Sequence, residues 1–211
     1  MRNIFYGKNL SWVTVLFIAA VSGLLAGLFH QIGYMGNTSF TDFFVAWEWW
    51  IFFGLFIAAN NSNAAISLLQ TILFFGLGLT VMLLAQWPVI GKGGFISYIR
   101  GHIILFLIVT IVGGILIYLA TLKGVLFGIL MAAAETVTAI CFVNYVFTLK
   151  AAMPRHILSA VFCLLSYILT TFQIVRERAS RAVVLSISIV LALVYAYVRY
   201  RFGLTLLAPR F

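Results

Sequence analysis

Apolar runs of membrane-spanning length follow one another along almost the whole chain, and this succession constrains the fold more than any motif does. Seven segments can be drawn: Leu10 to His30, Asp42 to Ala59, Ala64 to Ile90, Gly101 to Leu122, Gly124 to Phe147, His156 to Val175 and Ala182 to Val198. A helix crosses about 30 Å of hydrocarbon with about 20 residues, so runs of this length read as spans. The links between them are short and built from turn residues: "QIGYMGNTSFT", "NNSN" and "GKGG" after the first three, Lys123-Gly124 as a tight hairpin, Met153-Pro154, and "RERASR". The expected fold is an all-α, polytopic transmembrane helical bundle of six to seven helices with short loops, a single integral membrane domain over residues 1–211.

Composition agrees, with 64% hydrophobic and 8% charged residues and a mean hydropathy of +1.17, far outside soluble globular usage. No soluble domain fits between the segments, so any chemistry must come from the helices, their loops or a partner chain. The net charge of +9 arises from Lys and Arg at the ends of the apolar runs, where they meet lipid phosphates. No basic stripe interleaved with exposed aromatics is present, which argues against nucleic acid. Cys141 and Cys163 lie within apolar runs without CxxC or Cys/His spacing, so no disulfide framework, metal site or cofactor is expected. The N-terminal run has the basic flank of a signal peptide, but its apolar core is long and continuous, which reads as a retained first span.

Lys and Arg should be in excess in cytoplasmic loops. With seven crossings, the side holding Arg2, Lys8, Lys123, Arg176, Arg178 and Arg181 carries six, against seven on the other. If the Asp42 to Ala59 segment instead dips in and returns, the same residues regroup as nine against four. Charge therefore favours six spans, whereas the apolarity of "FFVAWEWWIFFGLFIAA" favours seven.

Glu135 stands in the middle of the fifth segment, where a charged side chain costs roughly 2.5–3.5 kcal/mol on insertion scales. Gly124, Gly128 and Ala132 recur every four residues and Glu135 and Thr138 continue that face, so the ridge is expected to pack on another helix. No Lys or Arg stands near the middle of another segment. The expected state is a neutral carboxyl bonded to hydroxyls and amides such as Thr138, Gln70, Tyr118, Ser166 and Tyr167. Such a group is interhelical glue, a solute, proton or cation site, or part of an interface with another subunit. Glu48 lies in "VAWEWWIFF" beside Trp47, Trp49 and Trp50. Two readings stand for it: an interfacial aromatic belt at headgroup depth, or an aromatic-walled pocket in which Trp47 and Trp50 face a flat or cationic ligand and Glu48 supplies the counter-charge.

Ala19, Gly23 and Gly27 form a second small-residue ridge, on the first segment. His30, His102 and His156 fall at segment ends, and no catalytic, nucleotide-binding or haem motif occurs, so no enzyme activity is expected. "TIVGGILIYLATLKGVLFGILMAAAE", a Gly-rich span, a tight turn and a Gly-rich helix ending in Ala-Glu, resembles a group of small multipass bacterial inner-membrane proteins of unknown function. In size and architecture the chain also resembles substrate-binding components of energy-coupling vitamin transporters. That likeness implies a first helix that docks a partner through Ala19, Gly23 and Gly27, and a location in a bacterial inner (plasma) membrane. The leading expectation is a transporter or transporter subunit with a small-solute or proton site at Glu135 and Glu48. A non-catalytic subunit that scaffolds a larger membrane complex, or forms a homo-oligomer, is the second. A membrane-embedded enzyme acting on lipid is the third.

Overall fold

The computed structural model describes residues 9–29, 39, 47–61, 63–119, 121–122, 125–152, 156–175 and 177–205. Within them the chain forms seven α-helices: α1 (Trp12–Phe29), α2 (Trp47–Ala59), α3 (Ala64–Leu107), α4 (Gly114–Leu119), α5 (Val125–Ala152), α6 (Ile157–Leu169) and α7 (Arg178–Phe202). Two wide helical turns with π geometry interrupt the pattern, Ile108–Gly113 between α3 and α4 and Thr170–Ile174 after α6. Five stretches are long and apolar enough to cross a membrane: Trp12–Phe29, Ala64–Pro88, Phe127–Phe147, Ile157–Ile174 and Arg178–Phe202. The chain is an all-α integral membrane bundle.

Helix ends are set by local chemistry. Ser11 Oγ accepts the Thr14 N–H at 3.1 Å at the start of α1, and Asn63 Oδ1 accepts the Ala65 N–H at 2.9 Å at the start of α3. Gly203 closes α7 in the left-handed region (φ 68°), its N–H reaching the Arg199 carbonyl. The "GKGG" link expected after the third segment is not a loop. Pro88 withdraws a backbone donor and Gly91, at φ 68° and ψ 168°, breaks the helix, a conformation that costs glycine little. The helix then resumes and doubles back: Thr110 lies against Gly76, Gly114 against Ile72, and Ile117 against Gly54.

Contacts between α1 and α3 decide how often the chain crosses. A β-carbon on Gly23 would sit 2.1 Å from the Gly78 carbonyl oxygen, and one on Gly27 would sit 2.5 Å from Ala85 Cβ. Residue numbers therefore rise together along the seam, so α1 and α3 are parallel. The start of α1 is tied to the turn before α3, with the Leu10 N–H on the Asn60 carbonyl at 3.1 Å and Gln70 Nε2 donating to the Leu10 carbonyl at 3.1 Å. Parallel neighbours require the segment between them to carry the chain back, and α2 does so. Its Trp49 indole N–H reaches Ser22 Oγ late in α1 at 3.1 Å, and its far end, Asn60, meets Leu10. The dip-and-return alternative for the second segment does not fit this geometry. Every later segment alternates, since Tyr145 of α5 meets Glu48 while Gly128 of α5 meets Ser180 of α7.

The two small-residue ridges are used inside the chain. Ala19, Gly23 and Gly27 seat α1 on α3, so the face expected to dock a partner is filled by α3. On α5, Gly128 admits the Ser180 backbone of α7, where an added β-carbon would meet Ser180 Cα at 3.2 Å, and Ala132 is buried beyond it. Gly124 lies outside the described residues. Such close approach is how helices associate in lipid, where apolar burial supplies little drive. The central helix is α2, which touches α3, α4, α5, α6 and the Thr170–Ile174 turn.

Candidate functional site

Both carboxylates of interest are buried between helices, Glu48 on α2 and Glu135 on α5. Glu48 opens α2 and is 1% exposed; the Tyr145 hydroxyl of α5 donates to its Oε1 at 2.8 Å. The Tyr145 ring stacks on His156 at 5.8 Å between centroids, and His156, at the start of α6, is also 1% exposed. Trp50 is committed to packing, its ring set against Phe74 and Phe75 and over Gly78 of α3. Trp49 stacks on Phe53 and Phe162. The Trp47 side chain lies outside the described residues. Glu48 is thus part of a tied interhelical cluster, turned inward from the lipid.

Glu135 lies ten residues before Tyr145 on α5, about 15 Å deeper along the axis. It is 1% exposed. Thr170 Oγ1, at the first position of the wide turn after α6, donates to Glu135 Oε1. Thr170 also lies 2.7 Å from the Ser166 carbonyl. A threonine hydroxyl has one proton, so both contacts are satisfied together when the carboxyl carries a proton and donates to Thr170, which then donates to Ser166.

Around this contact is a mid-depth polar layer. Thr138 follows Glu135 by one turn and is buried, and the Tyr167 hydroxyl of α6 meets Ser188 Oγ of α7 at 2.6 Å. Four buried oxygens on α5, α6 and the wide turn after it have no hydrogen-bond partner among the described residues: Glu135 Oε2, Ser166 Oγ, Thr171 Oγ1 and Gln173 Oε1. Each such atom carries a desolvation cost of about 1–3 kcal/mol. Of the partners expected for Glu135 from sequence, Ser166 and Tyr167 stand in this stretch of α6. Gln70 is elsewhere, with its Oε1 accepting from Asn61 at 2.6 Å, and Tyr118 lies at the end of α4.

Thr170 is the residue that the sequence reading missed. Ser159, Cys163, Ser166 and Thr170 are all buried and follow one another at spacings of four, three and four residues, a helical stripe of small polar groups that could have pointed to it.

A bundle of apolar helices holding two buried carboxyls defines a polytopic integral membrane protein. No protein-family model matches the chain, and no curated protein or solved structure matches it.

Proposed function

We propose that the protein is a membrane transport protein or transporter subunit whose small-solute or proton site is the Glu135 layer. The observation that carries this reading is one buried carboxyl at mid-depth, bonded to a hydroxyl on a wide helical turn, with its second oxygen unpartnered among the described residues. Ionisable groups inside membrane spans are costly and mark ion or substrate paths, and wide turns recur at functional positions in helices. Glu48, bonded to Tyr145, serves as the structural counterpart at the end of α2. A scaffolding role has weaker support, since the ridges that would meet a partner already join α1 to α3 and α5 to α7.

The test is proton flux into vesicles carrying a trapped pH-sensitive dye, driven by an imposed ion gradient. The wild-type protein is expected to exceed empty vesicles, Glu135→Gln to fall to their level, and Glu48→Gln to keep most of the flux. Equal rates for wild type and both variants would overturn the reading.

A further inference from the structure

We infer that the Glu135 layer binds a monovalent, oxygen-seeking cation of about sodium size, with the Glu135 carboxylate as its counter-charge and the Ser166 and Thr171 hydroxyls as ligands. This rests on the transport reading above and names the ligand class of that site.

The donor chemistry narrows the choice. The unpartnered buried atoms of Glu135 and of the Ser166 to Gln173 stretch that meets it through Thr170 are all oxygens: one carboxylate oxygen, two hydroxyls and the Gln173 amide oxygen. Glu135, Ser166 and Thr171 are each at most 3% exposed. Oxygen sets of this kind suit hard cations. One carboxylate balances one positive charge, and among the described residues no three His, Cys, Asp or Glu side chains gather as a metal-ligand set, which disfavours a divalent or transition metal.

The backbone points the same way. Ser166, Thr170 and Thr171 straddle the change from α-helix to wide turn. There the Thr170 carbonyl accepts the Val175 N–H, a five-residue step, at 3.3 Å. Irregular helix inside a span is tolerated where it serves a site, and carbonyls beside such a break coordinate sodium or protons in transporters. The turn is wedged between α2 and α7, so an ion held there would join three helices through Glu135 of α5.

The experiment is modification of Glu135 by a hydrophobic carbodiimide in the full-length protein, at one pH and constant ionic strength, in sodium, potassium, lithium or choline chloride. The reagent attacks the protonated carboxyl, so an ion that takes the proton's place protects it. Expected is saturable protection by sodium and none by choline. Ser166→Ala and Thr171→Val should each raise the half-protecting sodium concentration about tenfold. A rate indifferent to all four salts would overturn the cation and leave a proton or organic solute at Glu135, with the transport reading intact. Equal slowing by all four would be an ionic-strength effect and would overturn it as well. If Glu135 resists the reagent in every salt, thermal unfolding decides: a sodium-specific rise in Tm in wild type that Glu135→Gln lacks supports the site, and no such rise overturns it. Intact labelling with lost vesicle flux, or the reverse, separates the two proposals.

Discussion

Glu48 and Glu135 are the same residue type, equally buried, on helices that touch, yet their surroundings differ in kind. Glu48 accepts from Tyr145, whose ring is braced by His156, so its neighbours hold it from α5 and α6 together. Glu135 meets Thr170, a hydroxyl that already has the Ser166 carbonyl within reach. Removing Glu48 deprives a tyrosine of its acceptor. Removing Glu135 deprives nothing that lacks an alternative.

The largest expected effect comes from replacing each carboxyl by leucine. Glu48→Leu should lower stability by about 1–3 kcal/mol, because the Tyr145 hydroxyl then loses its acceptor inside the bundle. Glu135→Leu should leave stability unchanged or raise it, since it removes a poorly satisfied polar group, while abolishing flux. Unfolding in mixed micelles measures both, and equal losses would break the comparison. A smaller effect distinguishes the pairs themselves. A double-mutant cycle of Glu48→Gln with Tyr145→Phe should give a coupling of about 1 kcal/mol. The cycle of Glu135→Gln with Thr170→Val should give about half that or less, and a reversed order would assign the structural role to Glu135. Smallest of all, Trp49→Phe removes the indole donor to Ser22 and should cost less than about 1 kcal/mol. A larger loss, read as a fall in Tm, would show that the Glu48 end of α2 depends on α1 as much as on α5.

The spans and the inward face of Glu135 were legible because both rest on periodicity: apolar runs of the right length, and small residues every four positions leading to the carboxyl. The partner was not. Which hydroxyl meets Glu135 depends on the register of α6 against α5 and on the wide turn at Thr170–Ile174, and neither follows from local propensity. The crossing of α2 was hidden for another reason. Six basic residues against seven give the loop rule nothing to act on, whereas Gly23 on Gly78 fixes the direction of α3 and hence the path of α2. Read from sequence, the "WEWW" stretch offered an interfacial belt or a ligand pocket; in the fold Trp50 packs over Gly78, because a glycine on α3 leaves a gap that an indole can occupy.

The parallel seam between α1 and α3 also sets a timetable. During synthesis α1 enters the membrane with its grooved side, Gly23 and Gly27, bare, and the backbone that fits the groove is made only after α2 and the first half of α3 have followed. Until then, α2 alone is at hand for the newborn first helix, through Trp49 on Ser22. Assembly of the amino-terminal half is thus completed only when the third helix arrives to fill that groove.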